Sequence, residues 1–333
     1  MSRVVSLALA AGLIAVSARA EPVQLSHRDR LYDATSSAGS LYVVGHPGRL
    51  LRSKDGGKTF EPVDAGLKEE ALFSIAFNAK GQGAIVGRSG LVLTSEGERW
   101  TKSVVKLDDE QPNLFAVDVL PSGTLVAVGE FGAIVRSEDR GKTWSRSSYG
   151  IEAPKADCVV EGSSESENSD VVGEARLTDV HFIDEQRGYA VGEFGLILRT
   201  EDGGRTFQRQ ASCTDKLLYG IATVGDGAMA VGADGAVVET KDGGRTWSVL
   251  PSGTIEHLFG VYADAKRALI VGAAGTVLAR AGGEPLREAE SGVHTWLTSA
   301  VLDEQGQGLI VGGRASVLRT QDGGKTQTRI FGE

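Results

Sequence analysis

The chain alternates short apolar runs with glycine-rich polar punctuation and carries no helical periodicity. Segments such as "LFSIAF" at Leu72, "LFAVDV" at Leu114, "LTDVHF" at Leu177, "LYGIAT" at Leu218 and "LFGVYA" at Leu258 alternate with the period of two that strands require. Each is followed by an apolar run ending in Val-Gly, two variable residues, usually a further Gly, and an apolar pair. The Val-Gly glycines are Gly45, Gly87, Gly129, Gly192, Gly232, Gly272 and Gly312, spaced 42, 42, 63, 40, 40 and 40 residues apart. That is a repeat of about forty residues in seven copies, with one insertion between the third and fourth. Every unit holds four strand-like runs, and apolar pairs such as Ile134-Val135 fit strands buried on both faces. Four strands in a unit of that length make a propeller blade. The expected fold is therefore all-β, a seven-bladed β-propeller of four-stranded antiparallel blades over residues 21–333.

A polar octet closes the third run of most units: "SKDGGKTF" at Ser53, "SEDRGKTW" at Ser137, "TEDGGRTF" at Thr200, "TKDGGRTW" at Thr240 and "TQDGGKTQ" at Thr320. It reads as the turn between the third and fourth strands of a blade. Asp55, Asp139, Asp202, Asp242 and Asp322 are placed to accept hydrogen bonds from backbone N–H groups just downstream. The second glycines, Gly57, Gly141, Gly204, Gly244 and Gly324, supply positive φ at little steric cost. Phe60, Trp144, Phe207 and Trp247 are expected to cover the seams between blades. Two copies have decayed, "SEGERW" at Ser95 and "RAGGEPLR" at Arg280, and the seventh carries Gln327 in place of the aromatic.

The octet resembles the Asp-box, or BNR repeat, found in sialidases, some glucanases, sortilin-type receptors and the photosystem II stability/assembly factor family. "LVAVGEFGAIVRSEDRGKTW" from Leu125, "LTDVHFIDEQRGYAVG" from Leu177 and "YAVGEFGLILRTEDGGRTF" from Tyr189 are most similar to that last family. The resemblance runs over nearly the whole chain after its first twenty residues. It implies a seven-bladed propeller without enzymatic activity or cofactor that assists assembly of a membrane complex. The implied partner is a membrane or envelope protein, either a photosystem component or a transporter.

Composition narrows the function further. The formal net charge of −9 argues against a nucleic-acid-binding face. No run approaches 18 apolar residues, so no spanning helix and no direct membrane insertion is expected. The first twenty residues have a basic Arg3, an apolar Val4 to Val16 and a small-x-small Ala18-Arg19-Ala20, the pattern of a cleaved secretory signal. A periplasmic location follows, or the thylakoid lumen in a phototroph, and a monomer is expected.

Strand direction puts the Asp-boxes on one face, the bottom, and the Val-Gly turns with the blade-to-blade connections on the other, the top. Binding is expected on the top, at His46, Arg88, Glu130, Phe131, Glu193, Phe194, Asp234 and Arg314. The arginines that precede the boxes, Arg52, Arg136, Arg199 and Arg319, read as neutralising neighbouring acids, with a basic docking patch as the alternative. The insertion at 150–174 is acidic, with "EGSSESENSD" at Glu161. It reads either as a partner-contacting arm or as a tolerated loop. It carries Cys158, and the next top-face connection carries Cys213, so a Cys158–Cys213 disulfide is expected, with free thiols as the alternative. Chain closure is open: "TQTRIF" at Thr326 supplies the last strand of blade seven, and "EPVQL" at Glu21 is either a further edge strand there or a loose arm.

No catalytic or metal-binding pattern is present. His27, His46, His181, His257 and His294 lack ligand spacing. Phosphate loops and nucleophile elbows are absent. The one acid pair, Glu130 and Glu193, would sit roughly 10 Å apart on adjacent blades, too far for a retaining glycosidase. A carbohydrate-active enzyme, glycosidase or lyase, stands as the alternative function. A small ligand in the central tunnel finds no residue support in the sequence.

Overall fold

A computed structural model describes residues 23–150, 152 and 173–332. Seven sheets surround a central channel, built in order from residues 30–62, 72–104, 114–146, 177–209, 218–249, 258–288 and 297–331. Within each blade the four sequential strands pair antiparallel, and the first strand of every blade touches the first strands of both neighbours, blade seven and blade one included. The seven-bladed architecture read from the repeat is therefore what the chain forms. One addition was not foreseen. Ser148–Gly150, leaving blade three, runs parallel to Thr206–Arg209 and gives blade four a fifth, outermost strand. The expected signal segment, most of the insertion and Cys158 lie outside the described residues.

The core is distributed between blades. Among the described residues there are seven apolar clusters, one at each seam, and each draws side chains from two adjacent blades. Burial of these facing strands holds the ring. The box aromatics fill the seam against the preceding blade: Phe60 against blade seven, Trp144 against blade two, Phe207 against blade three, Trp247 against blade four. Arginines reach across the same seams. Arg136 Nε donates to Gly203 O at 2.8 Å and Arg319 Nε to Gly56 O at 2.9 Å, each a box carbonyl of the next blade. Arg52 pairs with Glu61 and Glu98, Arg136 with Glu138, and Arg199 with Glu201, as the neutralising reading expected.

The two decayed boxes diverge. In blade two the turn tightens, the fourth strand extends over Arg99–Val104, and Trp100 closes the seam with Phe77 and Tyr42. In blade six the octet is lost, Leu286 stands where the box aromatic would and packs against the seam cluster, and a cavity of about 760 Å³ opens between blades five and six. There Glu239 occupies the usual arginine position, and Arg280 of blade six reaches back to it at 2.8 Å.

Among the described residues no strand exchange closes the ring. Thr328–Phe331 is the fourth strand of blade seven, as expected, and blade one contains only its own strands. The described part of "EPVQL" forms no strand. Val23 and Leu25 pack into the cluster shared by blades one and seven, beside Phe60, Ile330 and Phe331. Polar bonds complete the joint, with Thr298 Oγ1 donating to Leu31 O at 3.0 Å and Ser299 Oγ to Asp33 Oδ1 at 2.8 Å.

Two local devices recur. In the box, Asp202 accepts from Arg205 N and Thr206 N at 3.0 Å and from Thr206 Oγ1 at 2.7 Å, and Gly204 N donates to Thr200 Oγ1 at 3.0 Å. The hydrogen bonds from Thr143 and Thr246 hold the Asp139 and Asp242 carboxyls down at about 2. The second device explains the Val-Gly glycines, whose backbone is extended, not left-handed. A Cβ on any of the seven would overlap the carbonyl oxygen of the residue just before the first-strand Leu, such as Arg176 O at Gly192. That carbonyl lies close because it accepts the N–H after the glycine, as Arg176 O does from Glu193 N at 3.0 Å.

Replacing Gly192 by Ala is accordingly expected to cost about 1–3 kcal/mol in urea unfolding, because the strand must move to admit a methyl. Asp202→Ala removes acceptors for two backbone donors, with an expected loss of about 1–3 kcal/mol by the same measurement. The depressed box carboxyls contribute stability present above their unfolded value near 3.8 and lost as pH falls toward about 2. Denaturation midpoints at pH 4, 3 and 2 should show that fall.

Candidate functional site

The close carbonyl has a second consequence. In all seven blades the register between first and second strands slips by one residue just after the first-strand Leu. The skipped residues are Tyr32, Phe73, Phe115, Thr178, Tyr219, Phe259 and Thr298. A bulge re-aims the extra side chain. Here the Leu stays in the seam while the next residue turns into the channel, which these seven line at its top end. Five of the seven are aromatic. Tyr32 meets Phe73 edge-on with centroids 5.5 Å apart, Phe73 meets Phe115 at 5.7 Å, and Tyr219 meets Phe259 at 5.1 Å. Trp296 stacks on Tyr32 at 6.1 Å. The guanidinium of Arg176 lies 6.0 Å above the Phe115 ring and pairs with Glu193 at 3.0 Å. Thr178 and Thr298, the two gaps in the collar, spend their hydroxyls on backbone carbonyls of the neighbouring blade.

Below the collar the channel encloses about 750 Å³. Three carboxylates face it. Asp33 bonds Ala34 N and, in the next blade, Ile75 N. Asp118 bonds Val119 N and Phe182 N at 2.7 Å. Asp179 bonds Val180 N and Ile221 N at 2.8 Å. Each therefore staples its own first strand to the following one. All three are half-buried in the channel wall. Burial pushes the Asp33 carboxyl up, and burial with the charges of Asp33 and Asp118 pushes Asp179 up to about 8. The sequence showed no residue support for a ligand in the tunnel; the structure lines it with five aromatic rings and three carboxylates. The collar residues stood in the sequence as the position after each first-strand Leu, and were read as one half of a strand alternation that a bulge in fact breaks.

Seven of the eight residues expected on the outer top face lie on the second-to-third-strand turns, and His46 ends the second strand of blade one. Phe131, Phe194, Asp234 and Arg314 all occupy left-handed positions, with φ of 56°, 58°, 53° and 52°. Phe131 is 54 % and Phe194 39 % exposed, an unusual cost for apolar side chains on strained backbone. Glu130 and Glu193 tie their turns to the connections entering their blades: Glu130 accepts from Asn113 N and Nδ2 at 2.9 Å, and Glu193 from Arg176 N at 2.9 Å. Asp234 pairs with Lys216 at 3.0 Å, with His257 at 3.8 Å. Arg88 and Arg314 are exposed at the rim, and His46 is half-buried beside a cis bond to Pro47. Phe131 and Phe194 stand on adjacent blades, with Arg176 and Phe115 of the collar on those same blades. Cys213 sits at φ 59° in the connection to blade five. No cluster of metal-ligating side chains exists among the described residues.

Because the folded pKa of Asp179 exceeds its unfolded value, this group favours folding where it is protonated and loses that contribution as pH rises toward about 8. Thermal midpoints should fall from pH 5 to 8 and level off above, and Asp179→Asn should flatten the slope.

The sequence matches the family described as "Photosynthesis system II assembly factor YCF48" over residues 14–154 and 159–260. No curated protein matches it significantly. Among solved structures, YCF48 from Cyanidioschyzon merolae is 18 % identical with a TM-score of 0.68, covering 90 % of this chain and 98 % of its own. A structure of YCF48 bound to D1 peptide is 18 % identical with a TM-score of 0.66, covering 90 % and 94 %. The GH74 xyloglucanase of Xanthomonas campestris, 14 % identical with a TM-score of 0.66, covers 92 % of this chain and 54 % of its own, a likeness of fold alone. With the family matched over most of its length, on a ring of seven blades of which five carry an Asp-box, the chain belongs to the YCF48 photosystem II assembly factor family.

Proposed function

We propose that this protein is a non-enzymatic assembly propeller that holds a segment of a membrane or envelope protein against its top face. The observation that carries the reading is the pair Phe131 and Phe194, exposed at left-handed turn positions beside an aromatic-rimmed channel. Exposed apolar groups around a concavity are what a protein-binding surface needs. Family membership supports the assembly role, and the D1 peptide bound by a YCF48 supports a peptide segment as the ligand. Catalysis is disfavoured by the engagement of Glu130 and Glu193 with the backbone of the connections entering their blades. Export by the N-terminal segment and a Cys158–Cys213 bond belong to the same reading, since both suit a client on the far side of an inner membrane.

Photo-crosslinking from position 131 in cells, followed by mass spectrometry, is expected to capture a membrane protein. The double variant Phe131→Ala/Phe194→Ala should lower that yield about tenfold without lowering the thermal midpoint. Unchanged capture by the double variant overturns the proposed face.

A further inference from the structure

The aromatic of a box goes to one place in its seam. Phe60, Trp144, Phe207 and Trp247 share their clusters with Leu309, Ala84, Val126 and Tyr189, in each case the residue three before the Val-Gly glycine of the preceding blade. Trp247 meets Tyr189 edge-on, with centroids 5.8 Å apart. In blade five that position is Met229, and the next blade has no box to cover it. Met229 lies instead in the wall of the cavity of about 760 Å³, with the smaller Leu286 beside it.

The polar side of this seam is incomplete as well. In two of the box-bearing seams an arginine Nε donates to a box carbonyl, Arg136 to Gly203 and Arg319 to Gly56. In the cavity wall, Arg280 gives Nη2 to Glu239 at 2.8 Å, while its buried Nε has no hydrogen-bond partner. A buried donor without an acceptor is costly, so an oxygen that reaches it is favoured. The seam thus lacks a ring for Met229 and an oxygen for Arg280, the two groups that a box turn brings elsewhere. The oxygen is best neutral, because a carboxylate brought to Arg280 would stand against Glu239. Residues 1–22, 151, 153–172 and 333 include no Phe, Trp or Tyr, so those segments cannot supply the ring.

We propose that the cavity between blades five and six binds an aromatic residue of a second polypeptide, with the ring seated on Met229 and Leu286 and a backbone carbonyl accepting from Arg280 Nε. A thioether suits this place, since sulfur makes favourable contacts with aromatic rings. The site opens at the box end of the blades, away from Phe131 and Phe194. It is a second docking point and stands independently of the top-face reading.

The test uses the full chain with isotope-labelled methionine methyl groups. Only Met1 and Met229 then give signals, and Met229→Leu tells them apart. Titration with acetyl-Gly-Trp-Gly-amide is expected to move the Met229 signal upfield, as a ring over the methyl requires, and to saturate at millimolar concentration. Acetyl-Gly-Leu-Gly-amide lacks the ring and free indole lacks the carbonyl, and each should bind about tenfold more weakly. Arg280→Lys keeps a cation for Glu239 but removes the Nε donor, and should weaken the tryptophan peptide about fivefold. Leu286→Trp supplies the ring from within the chain, and should both shift Met229 upfield and prevent peptide binding. A Met229 signal that the tryptophan peptide leaves unmoved overturns the proposal. So does binding of the leucine peptide or of indole as tight as that of the tryptophan peptide. These titrations of the unaltered chain decide the matter even if Leu286→Trp fails to fold.

Discussion

The structure depends on one crowded contact made seven times. At the top of each blade, the carbonyl before the first-strand Leu must come close enough to the second strand to accept the N–H after the Val-Gly glycine. Only a residue without Cβ leaves that space. The approach is possible because the first strand bulges there, and the bulge turns one side chain per blade out of the alternation and into the channel. A steric requirement of the backbone thus fixes the position of the collar before any selection for binding acts on it. What selection adds is the identity of the residue so placed: aromatic in five blades, threonine in two that instead bond across the seam.

At the opposite end, the Asp-box holds one turn through hydrogen bonds and carries one aromatic into the seam behind it. The two decayed copies separate these tasks. Blade two loses the aspartate but recovers a seam filler in Trp100, and its seam is closed. Blade six has only the smaller Leu286 for the seam, which opens into a cavity bridged by the Arg280–Glu239 pair. The ring tolerates that gap because its core is divided into seven clusters, each bounded by its own two blades. A defect at one seam removes contacts from one cluster and leaves the others packed.

The fold was legible in the sequence because its signals are local and repeated. The spacing of Gly45 through Gly312 counts the blades, and the octets mark the third turn of five of them. The faces were legible too, since strand direction alone places Phe131 and Phe194 on the top. The collar was not. "LF" and "LY" read as ordinary alternation, and a bulge one residue long leaves no gap in the pattern. The channel carboxylates were equally hidden. Asp33 and Asp179 stand two residues after the first-strand Leu and Asp118 four, in strands that otherwise look alike, and only closure of the ring brings them to one cavity. The added strand of blade four, Ser148–Gly150, was missed because a short polar run gives no strand signal until an outer edge is there to pair it.

Membership of a family and the residues of one member answer different questions. Identity of 18 % to the solved YCF48 chains conserves a ring and its turns, which the glycine contact and the seam clusters explain without reference to any partner. Partner choice has to reside where those constraints are silent. On this chain they are silent at the tips of the top turns, where φ is set but the side chain is not, and at the bulged position, where direction is set but identity is not. Phe131 and Phe194 fill the first kind of place, and Tyr219 and Phe259 the second. Apolar contact at the rim and aromatic contact in the channel would use both, since the side chain in either place can change without disturbing the glycine contact.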